Sequence, residues 1–219
     1  MEKLYIAFVD TPGLFASMIR RVVNMNYVHI VLSLDKDLFE AYSVGRRHPS
    51  VPLISGFERE ELDKVYHKFP KANYRISYIE CTSKQKQAIA KQLRECYKNR
   101  FDYHYCTIGL PFLLMNKKFY QKNHYTCSSF AGRILEDNGI KLFDKHFSLI
   151  TPRDFYDLNL PYIYEGPLEP LAKKYIDIKS IQCDIENFAS QESLSEYYAD
   201  AMEKRKDLWD TVKERDQKL

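Results

Sequence analysis

The chain has 219 residues, of which 45% are hydrophobic and 29% charged, and its formal net charge is +3. A chain of this size can bury a core and form one domain with an extension. The small net charge argues against a nucleic-acid partner, and no apolar run approaches the roughly 20 residues of a membrane-spanning helix. We therefore expect no nucleic-acid partner and no transmembrane segment.

The cysteines and histidines indicate a reduced protein without a metal site. The five cysteines form an odd set without a C-x-x-C pair, and the six histidines lack ligand-like spacing. The amino-terminal sequence MEKLYIAFVD does not follow the basic-then-apolar pattern of a signal peptide. We therefore predict a cytoplasmic protein with no metal and no cofactor.

Strands and one hairpin are predicted in the first part of the chain. Between the first two strands, Pro12 begins a predicted helix whose apolar face extends to Val23. Glycines and prolines interrupt residues 45–73, which we expect to be irregular apart from a short helix near residues 58–67. Apolar or alternating patterns predict the strands at residues 4–9, 27–34, 38–44 and 74–81, with Asp35, Lys36 and Asp37 as the hairpin turn.

Further along the chain, Thr82 and Gln85 resemble a capping box that opens a helix to about Asn99. Two more strands are predicted at residues 160–166 and 175–181.

The carboxyl-terminal tail carries a predicted amphipathic helix from Glu192 to Gln217. We expect this helix to pack on the body of the protein or to form a homodimer with a second chain. The predicted division is a first domain at residues 1–165 and a carboxyl-terminal extension at residues 166–219.

The stretch HYTCSSFAGRILEDNG at residues 124–139 predicts a helix with Cys127 in its first turn. Thr126 is an N-cap candidate, Gly139 is a stop signal, and the apolar residues between them recur at helical spacing. A thiol at a helix amino terminus faces unpaired N–H groups and the positive end of the helix dipole, which favour the thiolate. Cys127 is therefore a candidate nucleophile, although a free cysteine more often only packs in a core.

A histidine far upstream strengthens the interpretation of Cys127. His29 projects from the strand YVHIVLSL on the side opposite its most apolar face. A lone histidine on a strand is more often structural than catalytic. Papain-type chemistry, however, needs three groups close together in space: a thiol, an imidazole that takes its proton, and a polar group that orients the ring.

The segments YVHIVLSLD, FEAYS and YTCSSFAGRIL together resemble the circularly permuted branch of the NlpC/P60 papain-like superfamily, which includes the lecithin:retinol acyltransferase-like proteins. The resemblance covers roughly residues 4–165. It implies an α+β fold with an antiparallel sheet packed on the helix that carries the nucleophile. It also implies cysteine hydrolase or acyltransferase activity on amide or ester bonds.

By this resemblance, Cys127 matches the nucleophile and His29 the base. Glu40 matches the carboxylate that orients the histidine, whereas a hairpin turn at residues 35–37 would place Ser43, not Glu40, opposite His29. Glu40 is the preferred third member, because a carboxylate both orients the ring and stabilises imidazolium, and Ser43 is the fallback. Tyr103 and Ser128 are candidates for binding the oxyanion or the substrate, and the backbone N–H of Cys127 is the safer oxyanion donor.

The leading functional hypothesis is a thiol amidase or peptidase that acts on a small peptide or amide through an acyl-enzyme. Acyl transfer or ester hydrolysis on lipid-like acyl groups is the alternative within the same chemistry, and its support is the apolar stretch IGLPFLLM. A catalytically inactive papain-like module that binds its ligand in the same cleft is the competing hypothesis from another class.

Overall fold

A six-stranded antiparallel sheet with helices packed on both faces forms the centre of the structure. The computed structural model describes residues 1–12, 20, 25–48 and 51–182, without the side chains of residues 46–48 and 51–54. The predicted α+β class is confirmed. The strand order is β4-β3-β2-β1-β5-β8, with β1 at Glu2–Asp10, β2 at His29–Ser33, β3 at Ala41–His48, β4 at Val51–Arg59, β5 at Asn73–Cys81 and β8 at Tyr162–Pro167.

A second, two-stranded parallel sheet pairs β6 (His104–Tyr105) with β7 (His124–Tyr125). Six helices are described: α1 (Leu62–Lys68), α2 (Ser83–Lys98), α3 (Gly109–Leu114), α4 (Cys127–Asp137), α5 (Pro152–Asp157) and α6, which covers residues 168–182. None of the helices in these described ranges has the length and apolar character that crossing a bilayer requires.

Side-chain alternation along the strands creates two separate cores, one on each face of the sheet. Along β1, Leu4, Ile6 and Phe8 lie in the core that includes α2 and α4. Ala7 and Val9 lie in the core that includes the start of α6. The sheet is therefore sandwiched, and a residue on its strands belongs to one core or the other according to its register.

Two predicted helix starts are confirmed at atomic detail. The Thr82 side chain accepts a hydrogen bond from the backbone N–H of Gln85, whose side chain accepts one from the backbone N–H of Thr82. Thr126 and Ser129 make the same reciprocal pair at the start of α4. These pairs satisfy N–H groups that a helix start leaves open, which explains why short sequence signals located both starts.

The turn between β2 and β3 is longer than predicted. The Asp35 carboxylate accepts hydrogen bonds from the backbone N–H groups of Asp37, Phe39 and Glu40. Leu38 adopts a positive φ of 61° inside this turn, and β3 begins only at Ala41. The expectation of a strand from residue 38 is therefore wrong, because one side chain organises the whole turn.

Two other segments differ from prediction. Residues 45–73 contain the expected short helix as α1 and, in addition, the unpredicted strand β4. Strand β4 lies at the sheet edge, where the missing N–H of Pro52 is tolerated. Residues 175–181 belong to α6 instead of a strand. Leu168, Ala172 and Tyr175 recur at helical spacing and are buried in the second core.

The contacts divide the chain into two compact units, residues 1–175 and 176–219. The first unit extends past the predicted boundary at residue 165 because the start of α6 is buried with it. The predicted helix from Pro12 to Val23 lies largely outside the described residues, and the predicted helix from Glu192 to Gln217 lies entirely outside them.

Candidate active site

The amino terminus of α4 fixes the position of Cys127. The capping pair of Thr126 and Ser129 makes Cys127 the first residue of the helix. Phe130, Ala131, Ile134 and Leu135 are buried, and α4 packs on β2 and β3. Local capping and the apolar face of α4 thus bring the thiol to the paired strands that carry His29 and Ser43.

The Cys127 thiol is buried and, in this structure, protonated at neutral pH. The residue is 5% exposed, and burial raises the pKa of its thiol to about 11. The backbone N–H groups of Ile30, Ser128 and Cys127 act in the opposite direction, and the charge of Glu60 raises the pKa further. The helix start therefore favours the thiolate as expected, but desolvation outweighs it.

His29 is the first residue of β2 and lies against β3. Its ring Nε2 is 3.2 Å from Ser43 Oγ. The pairing of β2 with β3 ends at Leu32 and Tyr42, and the imidazole lies close to the β3 backbone beyond that point. A Cβ atom at Gly45 would be 3.1 Å from His29 Cε1, so the absence of a side chain at position 45 makes room for the ring.

Ser43 connects the imidazole to a carboxylate. Its hydroxyl donates to Glu60 Oε2 at 3.3 Å, and the Tyr74 hydroxyl donates to Glu60 Oε1 at 3.4 Å. A serine hydroxyl has one proton. While Ser43 donates that proton to Glu60, its oxygen can only accept from His29 Nε2–H.

Burial raises the pKa of Glu60, and its hydrogen bonds from Ser43 and Tyr74 lower it by a smaller amount. The Glu60 backbone N–H also donates to the carbonyl of Ala41 at 2.8 Å. That bond holds the chain leaving β4 beside β3. The Glu60 carboxylate is thus fixed from its backbone and from both of its oxygens.

The Cys127 thiol lies at the backbone N–H of Ile30, the residue after His29, whereas His29 pairs with Val9, which is buried in the other core. Ile30 lies in the same core as Cys127, whereas Tyr74, which contacts Glu60, belongs to the other core. Ser43 bridges Glu60 to the imidazole, and the charge of Glu60 makes the smallest of the contributions named above to the pKa of the Cys127 thiol.

Glu40 is not brought to the imidazole. Its two carboxylate oxygens accept from Arg94 Nε and a terminal nitrogen at 2.7 and 2.8 Å, and the Tyr42 hydroxyl donates to it at 3.1 Å. The Arg94 hydrogen bonds lower the pKa of Glu40. Ser43, the fallback residue, contacts His29 through its side chain, but the predicted register is wrong by two residues, because Leu32 pairs with Tyr42.

Tyr103 and Ser128 serve packing in this structure. The Ser128 hydroxyl donates to the carbonyl of Ile150 at 2.7 Å, and the residue is 1% exposed. The Tyr103 hydroxyl accepts from Cys96 Sγ at 3.2 Å. The rings of Phe57, Tyr125 and Phe130 surround that of Tyr103, and burial raises its pKa.

Sequence reasoning missed Glu60 and Tyr74. Glu60 follows a strand that the glycines and prolines of residues 45–73 concealed, and Tyr74 looked like one more strand residue. The available signal was the acidic run after Phe57 at the end of a β-compatible segment. Recognising β4 as an edge strand would have placed a carboxylate at the end of the strand next to Ser43.

Among the described residues, no group of three or more His, Cys, Asp or Glu side chains is arranged to hold a metal ion. No protein-family model, curated protein or solved structure matches the chain. The chemistry of the site therefore has to be inferred from its own residues.

Alkylation of Cys127 by iodoacetamide is expected to be slow at neutral pH and to accelerate continuously as the pH rises. With a thiol pKa of about 11, only a small thiolate fraction exists near neutrality, and the thiolate is the reacting form. The measurement is the rate of adduct formation mapped to Cys127 by mass spectrometry, with glutathione in the same solution as the reference thiol. A rate that is already at its plateau at neutral pH would contradict the expectation.

Proposed function

We propose that this protein is a cysteine hydrolase of the amidase or peptidase type, with the permuted papain-like arrangement that its sequence resembles. The observation that carries the proposal is the hydrogen-bonded series His29, Ser43 and Glu60 on and beside the strands against which the Cys127 helix packs. A nucleophile, a base and an orienting group are the three parts that thiol acyl chemistry needs.

The mechanism starts from a neutral thiol and a neutral imidazole. A movement of the His29 side chain first brings Nδ1 to the Cys127 thiol. His29 Nδ1 then takes the Cys127 proton as Sγ attacks the substrate carbonyl, because a thiol with a raised pKa needs a base at the moment of attack. The tetrahedral oxyanion accepts from the backbone N–H of Cys127. Collapse expels the amine, which takes the proton from His29, and leaves an acyl thioester on Cys127.

Hydrolysis of the acyl-enzyme reverses these roles. His29 Nδ1 takes a proton from water as the water oxygen attacks the thioester carbonyl, and the Cys127 sulfur leaves and regains a proton. Throughout the cycle, Ser43 accepts from Nε2–H and keeps the proton on that nitrogen. The carboxylate of Glu60 stabilises the positive charge that the imidazole carries between the two proton transfers.

Glu60→Gln is expected to slow acylation of Cys127 by a fluorescent acyl thioester about tenfold or more, because the amide cannot stabilise the imidazolium. Burial raises the pKa of Glu60. The wild-type acylation rate should therefore fall as acidification protonates the Glu60 carboxylate at that raised pKa. The pH profile of Glu60→Gln should not show this fall. The measurement is the acylation rate as a function of pH.

Glu40→Gln is the matched control, because it makes the same change at a carboxylate bound to Arg94. We expect its acylation rate and pH profile to follow the wild type. A large loss in Glu40→Gln with none in Glu60→Gln would restore Glu40 as the orienting residue and overturn the assignment of Glu60.

A further inference from the structure

The segment between β6 and β7 presents apolar side chains to solvent. Ile108, Leu114 and Met115 are 66%, 60% and 60% exposed, and Phe112 is 37% exposed. These four residues, on α3 and its two ends, are called the apolar ridge. Single exposed apolar residues are normal on a protein, but a contiguous set of large ones marks an interaction surface.

The residues after the apolar ridge carry only positive charge. Lys117, Lys118 and Lys122 are exposed, and none of them forms an ion pair with the acidic side chains in the described ranges. Residues 103–135 contain no aspartate or glutamate. The ridge and the lysines together therefore form a surface with an apolar part and a cationic part.

The segment is held in place by its own contacts. The backbone N–H of Cys106 donates to the carbonyl of Tyr125 at 2.9 Å. The rings of Phe112 and Phe119 are stacked with centroids 4.8 Å apart, and a Cβ atom at Gly109 would lie 2.6 Å from Cys106 Sγ. These contacts fix the backbone of the segment, and the fixed backbone holds the side chains of the apolar ridge in solvent.

We propose that the apolar ridge and its lysines are a docking surface for an anionic phospholipid bilayer. Leu114, Met115 and Ile108 would enter the interfacial region, and Lys117, Lys118 and Lys122 would pair with lipid phosphates. A second copy of the chain fits less well, because a two-fold contact would bring the same lysines of both copies together. The proposal does not depend on hydrolase activity.

The test is co-sedimentation of the full chain with vesicles of phosphatidylglycerol and phosphatidylcholine, and with vesicles of phosphatidylcholine alone. Wild-type protein should bind the anionic vesicles about tenfold or more tightly than the neutral ones and be released by high salt. The double variant Leu114→Glu with Met115→Glu should lose binding. Lys117→Glu with Lys118→Glu should lose the preference for anionic lipid.

Matched controls carry the same changes elsewhere. Ile176→Glu with Ile181→Glu alters two other exposed apolar residues, and Lys84→Glu with Lys91→Glu alters two exposed lysines of α2. These controls should bind like the wild type, and thermal melts should show that all variants fold. The proposal is overturned if wild-type protein stays in the supernatant or if the ridge variants bind vesicles as the wild type does. It is also overturned if the only effect of the ridge variants is to convert a dimer of the chain into monomers.

Discussion

Replacement of Cys127 by alanine is expected to abolish covalent labelling by a fluorescent acyl thioester, because no other group in the proposed site can form the acyl-enzyme. Cys127→Ser should retain less than about a thousandth of the wild-type rate, since a hydroxyl is a far weaker nucleophile than a thiol at this position. The measurement is in-gel fluorescence over time, with the labelled peptide identified by mass spectrometry.

Cys81→Ala is the matched control for this prediction. Cys81 is also buried, at the end of β5, and burial raises the pKa of its thiol. It lies outside the proposed machinery, so its removal should leave labelling unchanged. Labelling that persists in Cys127→Ala, or that maps to another cysteine in the wild type, would refute the assignment of the nucleophile.

Phe130→Ala is expected to lower the free energy of unfolding by about 3–5 kcal/mol, the usual cost of removing a buried phenylalanine ring. Phe130 is 3% exposed. Its ring centroid lies 4.8 Å from that of Phe57 and 5.6 Å from that of Tyr125. Urea denaturation measures the change.

The matched control is Phe101→Ala, which removes the same ring from a position that is 64% exposed. Its free energy of unfolding should stay within about 0.5 kcal/mol of the wild type. Equal losses in the two variants would contradict a stabilising role for the buried rings of Phe57, Tyr125 and Phe130. These rings also connect the candidate site residues, because Phe57 lies on β4 just before Glu60 and Phe130 lies on α4 just after Cys127.

The parts of the fold that were predictable have local causes. The start of α4 follows from Thr126 and Ser129, and β2 and β5 follow from alternation that their own residues display. Cys127 and His29 could be named as candidates because their residue types and local settings carry a signal in the sequence. That a helix start would favour thiolate was also sound chemistry, but burial by distant residues reversed the net effect.

The unpredicted parts depend on partners far along the chain. The pairing of Leu32 with Tyr42 is set by the Asp35 carboxylate, and a turn of unknown length leaves the choice between Glu40 and Ser43 open. Nothing near Glu60 in sequence reveals that Tyr74 and Ser43 will bond to it. Long-range pairing of this kind becomes visible only when the strands are assembled.

The short pairing of β2 with β3 bears on how a substrate could reach a thiol that is 5% exposed. The ladder between the two strands pairs Leu32 with Tyr42 and Ser33 with Ala41, and Leu34 N–H donates to the carbonyl of Glu40 beyond it. Parting of the strands next to His29 would break neither of these rungs. Exposure of the Cys127 sulfur then requires side chains next to His29 to move. The backbone pairing of β2 with β3 can stay intact while they do.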